Sequence, residues 1–155
     1  NVIRMRIFSK AYGMAGARVG YAIGPKKLIR AFDKVRNHFG MCRISQAGAL
    51  AALADTQYFD EMRDNVQTAR EQINQIALAN GLIALPSATN FVAIDCGRDA
   101  AFAGRVLANL VNAGIFVRMP GVAPLNRCIR VSCGTPDAMQ AFAKALPDAL
   151  LAAKT

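Results

Sequence analysis

Strands alternating with amphipathic helices predict an α/β fold, and three stretches carry that prediction. Residues 2–8 alternate Ile3, Met5 and Ile7 with Arg4 and Arg6, the two-residue period of a strand. Residues 58–80 instead space Phe59, Met62, Val66, Ile73 and Ile76 at intervals of three, four or seven, the period of one helix face. Beyond Gly81 the pattern turns to strand, strand, helix, strand, strand, helix.

Taken in order, "RVGYAI" at 18–23 is a second short strand, closed by Gly24-Pro25, where proline suits the first turn of a helix that runs to about Asn37. Ser45 can cap a further helix, "QAGALAALAD", and the long helix over 58–80 stops at Gly81. "LIALPSA" and "NFVAIDC" read as strands, followed by a helix through Phe102, Val106, Leu107, Leu110 and Val111. "IFVRM" and "CIRVSC" are the last two strands, and Thr135-Pro136-Asp137 starts the final helix. Residues 1–45 read as the edge of one unit and residues 46–155 as a compact second one, without internal repeats.

Composition narrows the function classes. With 155 residues, 54% of them hydrophobic, the chain has material for a buried core. Its net charge of +9 is scattered, tryptophan is absent, and Tyr and Phe mostly occupy apolar-periodic positions, a poor match to a nucleic-acid stacking platform. The four cysteines show no C-x-x-C spacing and read as free thiols, with Cys128 and Cys133 as small buried hydrophobes. His38, the single histidine, makes no case for a metal or a triad. No stretch approaches the roughly 18 apolar residues of a membrane span and no apolar signal core precedes the first strand, which reads as cytoplasmic. The sequence opens at Asn1 directly into strand-like "VIRMRIF", as expected of a piece of a longer protein.

The chemistry concentrates in "FSKAYGMAGARVGYAIG", residues 8–24. A lysine attacks an aldehyde only when deprotonated, so a Schiff-base lysine needs burial or a cationic neighbour. Lys10, ending a buried strand beside Arg6 or Arg18, would have both. Gly13 and Gly16 allow a tight turn or close approach to a ligand, Arg18 offers a planar fork for phosphate, and Ser9 adds a hydroxyl. Lys10 alone would be a solvated loop residue; with Ser9, Gly13, Gly16, Arg18 and Gly20 in register that reading reverses. A lysine for an aldehyde and a serine and arginine for a phosphate describe pyridoxal phosphate.

"SKAYGMAGARVGY" resembles the cofactor-lysine signature of the class I and II aminotransferases of fold type I, most of all the histidinol-phosphate aminotransferase branch. The resemblance implies the C-terminal part of the pyridoxal-phosphate-dependent transferase fold: the end of the large α/β cofactor domain at 1–45 and connecting helices with a small α+β domain at 46–155. Lys10 would form the Schiff base and move the substrate proton, with Ser9 and Arg18 on the cofactor phosphate. "SATNFVAID" and "CIRVSCGTPDAMQAF" are similar to the family's small-domain strands, which carries the substrate roles onto Asn90 and onto Arg130 for the α-carboxylate. Arg118 in "IFVRM" is either the substrate-phosphate arginine of histidinol-phosphate enzymes or a surface ion-pair residue, and Asn90 can equally serve backbone hydrogen bonding. The family's hydroxyl residue three before the lysine is here Ile7, and Arg4 interrupts a normally apolar strand.

The implied activity is transfer of an amino group from an amino acid, or histidinol phosphate, to a 2-oxo acid, by a homodimer with neither nucleic acid nor membrane as partner. The family residues that precede the lysine, among them the aspartate for the pyridine nitrogen, have no counterpart in this sequence, so the piece alone is expected to be inactive. A decarboxylase of the same superfamily and a non-catalytic α/β remnant are the alternatives.

Overall fold

The computed structural model describes residues 2–154, which fall into two compact units divided between Arg63 and Asp64. In the first unit, β1 (Arg4–Ile7) and β2 (Gly20–Ile23) pair antiparallel with Arg4 opposite Ile23 and Ile7 opposite Gly20. Below them, Phe8, Val19 and Ala49 are buried, with Tyr12, Met14, Ala17 and Ala52 against them. The Phe8 ring lies 4.8 Å from Tyr12, and Tyr12 lies 5.2 Å from Phe59.

β1 corrects one expectation. Every residue of it is exposed, with Met5 at 64% and Ile7 at 58%, so Lys10 does not end a buried strand. Alternation sorts side chains onto two faces, but a two-stranded ribbon buries a face only where another layer covers it. Phe8, one residue past the strand, is the first to enter a core.

The helix expected to reach Asn37 ends early: α1 (Lys26–Ala31) passes into a single 3₁₀ turn, Phe32–Lys34. Neither segment has a buried residue, and a short helix without a packed face does not propagate. α2 (Arg43–Ala54) begins before Ser45, whose role as cap passes to Cys42. The Cys42 sulfur accepts from the Ser45 backbone N–H at 3.4 Å, while the Ser45 hydroxyl donates to the Ala17 carbonyl at 2.8 Å. The serine is thereby held by the loop it packs against. α3 (Thr56–Ala79) follows after Asp55, whose carboxylate accepts from Tyr58 N–H at 3.0 Å.

α3 ends in the second unit as expected. Gly81 takes φ +68° and Leu82 N–H returns to the Ala77 carbonyl, the left-handed glycine stop. β3 (Ile83–Ala84), β4 (Phe91–Asp95) and β5 (Cys128–Ser132) form an antiparallel sheet in that order. α4 (Ala100–Asn112) is capped by Asp99, and α5 (Pro136–Ala152) by Thr135 with proline in its first turn. Ile73, Val92, Ile94, Val106, Leu110, Ile129, Phe142 and Leu146 close one core among these elements.

Two expected strands shrink, each at a proline. "LIALPSA" pairs only over β3, with Leu85 N–H adding one bond to the Ala93 carbonyl before Pro86. "IFVRM" forms a single bridge, Arg118 opposite Arg130, before Pro120. Proline has no N–H for the ladder and restricts the residue preceding it.

Candidate active site

The turn that follows β1 places Ser9, Lys10 and Arg18. Gly13 N–H donates to the Lys10 carbonyl at 2.9 Å, and Met14 N–H reaches back to the Phe8 carbonyl at 3.0 Å. Gly13 adopts φ +65°, a conformation that explains the glycine without reference to a ligand. Gly16 lies in a 3₁₀ turn, Ala15–Ala17, with open space where a Cβ would stand. Gly20 answers to the strands: a Cβ there would meet the Arg6 carbonyl oxygen at 2.7 Å. Ser9 is half-buried and Lys10 exposed.

Arg18 is the unusual member. It holds φ +51° and ψ +43°, the left-handed region that costs an L side chain roughly 1–2 kcal/mol. One Nη donates to the Ala15 carbonyl at 2.7 Å, which leaves the rest of an exposed guanidinium fork available to an anion. Beneath it, the bond from Ser45 to the Ala17 carbonyl ties this turn to α2. Cys42 at the head of α2 is exposed, and hydrogen bonds from Ser45, first the hydroxyl and then the backbone amide, hold its thiol below the ordinary value.

The second unit places Asn90, Arg118 and Arg130. Arg130 is paired with Ala93 on one side and bridged to Arg118 on the other, with Arg118 N–H donating to the Arg130 carbonyl at 3.1 Å and Arg130 N–H to the Arg118 carbonyl at 2.6 Å. Directly opposite residues of an antiparallel pair share a face, so both arginine side chains leave the same face of the sheet. Arg118 is exposed, with its guanidinium 5.9 Å from the Phe116 ring centroid. Arg130 is half-buried, and its Nε is buried with no hydrogen-bond partner. Asn90 lies in the turn before β4, where its carbonyl accepts from Cys133 N–H at 2.9 Å.

The ring of Phe91 lies 4.8 Å from the Arg130 guanidinium carbon. Sequence reasoning missed this contact, since it depends on strand register that no local pattern declares. The remaining thiols are disfavoured as thiolates: burial raises Cys128 and Cys133 and pushes Cys96 up to about 11. Cys128 and Cys96 lie in the core, and Cys133 packs half-buried against it.

Comparison with known proteins gives the site its family. Histidinol-phosphate aminotransferase 2 of Ralstonia nicotianae is 36% identical over 154 residues, covering 99% of this chain and 41% of that protein. An aromatic amino acid aminotransferase of Nocardia farcinica is 37% identical over the same length and shares. The crystal structure of histidinol-phosphate aminotransferase from Sinorhizobium meliloti in complex with pyridoxal-5'-phosphate matches with TM-score 0.93 and 54% identity, over 98% of this chain and 42% of that one. The chain thus spans about two fifths of the length of these relatives. The family model for aminotransferase class I and II matches residues 1–146, and the chain belongs to that family.

Proposed function

We propose that the protein carrying this chain is a pyridoxal-phosphate-dependent aminotransferase that moves an amino group from an amino acid, or histidinol phosphate, to a 2-oxo acid. The observation that carries the reading is Arg130, a half-buried cation that has no carboxylate partner among the described residues. A substrate carboxylate would supply the counter-charge and accept charge-assisted hydrogen bonds from the accessible part of the guanidinium. The relatives named above support the reading, since all three are aminotransferases and none is a decarboxylase.

The residues of the first unit fit the cofactor. Arg18 presents a fork of donors from a strained backbone position, and Ser9 precedes the lysine within the same turn. Strain of that kind concentrates at ligand-holding positions. In this reading Arg18 and Ser9 hold the cofactor phosphate, and Lys10 Nζ is the attachment point. When bound, the cofactor supplies an aldehyde that accepts the amine and a ring that withdraws electrons from the substrate α-carbon. Lys10 Nζ then takes the α-proton as base and returns it as acid. Arg130 orients the α-carboxylate, Asn90 lines the substrate site, and Arg118 takes a substrate phosphate.

The domain limits read from the sequence, 1–45 and 46–155, belong to this proposal, as do the homodimer and the cytoplasm. Among the described residues no helix is long and apolar enough to cross a membrane. The deciding experiment is borohydride reduction after incubation with pyridoxal phosphate, followed by peptide mass mapping, with Lys10→Ala as control. An adduct confined to Lys10 is expected. No adduct, or labelling spread over surface lysines, would overturn the assignment and favour a non-catalytic remnant.

A further inference from the structure

Phe91 is paired with Ser132, which makes it the diagonal neighbour of Arg130 on one face of the sheet. Ala93, directly opposite Arg130, offers only a methyl group, and the space over that position goes to the Phe91 ring. Among the described residues Arg130 has no carboxylate partner and its Nε stays unpaired.

We infer that Phe91 is a positioning residue: its ring face holds the plane of the half-buried Arg130 guanidinium so that its accessible N–H groups meet the substrate carboxylate. The inference rests on the reading of Arg130 as the carboxylate ligand. An arginine side chain has several rotors to immobilise before it can bind in a fixed plane, and a preset orientation removes that cost from binding. An aspartate could also fix it, but would neutralise its charge and occupy the donors the substrate needs. A ring face attracts the cation through its quadrupole and leaves the N–H groups in the guanidinium plane free.

The test uses the arginine Nε–H resonance of Arg130 in nitrogen-15-labelled protein, assigned by its loss in Arg130→Lys and titrated with succinate. Phe91→Leu removes the ring face and is expected to weaken succinate binding about 5- to 30-fold, the range a partly to fully desolvated cation–π contact supports. Phe91→Tyr is expected to restore it. In amino-transfer assays of the holoenzyme, the KM of the amino donor rises in Phe91→Leu by a similar factor while kcat stays within about twofold. Should Phe91→Leu fail to fold, Phe91→Met, unbranched and apolar, carries the same comparison. If the wild-type resonance ignores succinate, the carboxylate reading of Arg130 falls and this inference with it. If succinate moves the resonance equally in wild type and the Leu or Met variant, or if Tyr does not rescue, Phe91 has no positioning role although Arg130 keeps its own.

Discussion

The two units differ in what holds them. In the second, a three-stranded sheet and its helices bury Ile73, Ile94, Val106, Leu110, Ile129 and Leu146 completely. The first has three buried apolar residues in its cluster and leaves Met5, Ile7, Ile23 and Ile44 largely in water. The second unit is organised by its core, and Arg130 rides on a finished strand. The first is organised by backbone hydrogen bonds and left-handed residues around a turn, so its geometry rests on Gly13, Arg18 and the Ser45 bridge more than on burial.

That contrast can be broken most directly in the core. Phe142→Ala is expected to destabilise the second unit by about 3–5 kcal/mol in urea unfolding, whereas Ile23→Ala on the exposed ribbon should stay within about 0.5 kcal/mol. Equal effects would mean that the ribbon is buried in solution. A smaller change comes from Thr135→Ala, which removes the side-chain cap of α5 and should lower stability by roughly 1 kcal/mol, read in the same denaturation curves.

Arg18→Gly sharpens the other side of the comparison. Relieving φ +51° offsets the added freedom of glycine in the unfolded chain, so stability should change by less than about 1 kcal/mol. Pyridoxal phosphate binding, followed by absorbance, should nevertheless weaken at least about tenfold, as expected for loss of a charged hydrogen bond worth about 1.5–3 kcal/mol. The smallest perturbation is chemical. Iodoacetamide should label Cys42 first, with a half-point in pH below that of an ordinary thiol, because a lowered pKa leaves more thiolate at any given pH. Cys96, at about 11 and buried, should react only after unfolding.

Much of the second unit was legible in the sequence because its signals are local. The alternation of Val92 and Ile94, the period of Phe102, Val106 and Leu110, and the Thr135-Pro136 start are satisfied within a few residues of themselves. The readings that failed depend on something distant. Ser45 looks like a cap until the Ala17 carbonyl claims its hydroxyl, and β1 looks buried until its covering layer is sought. The truncation of "IFVRM" at Pro120 was readable in principle, since proline forecloses a longer ladder. At the candidate site, residue types around Lys10 suggested a cofactor, but neither the exposure of Lys10 nor the left-handed Arg18 follows from composition or period. The ring under Arg130 needed the register of β4 on β5.

The single bridge between Arg118 and Arg130 has a consequence for affinity. Because each backbone amide donates to the other's carbonyl, the two residues are tied together at the backbone and their side chains leave the same face of the sheet. On the proposed roles of Arg130 for a carboxylate and Arg118 for a phosphate, a molecule carrying both groups makes its second contact as an intramolecular event, at an effective concentration in the millimolar range or above. Singly anionic competitors gain nothing from the second arginine. On the proposed roles the pair favours molecules that carry two anionic groups over those that carry one.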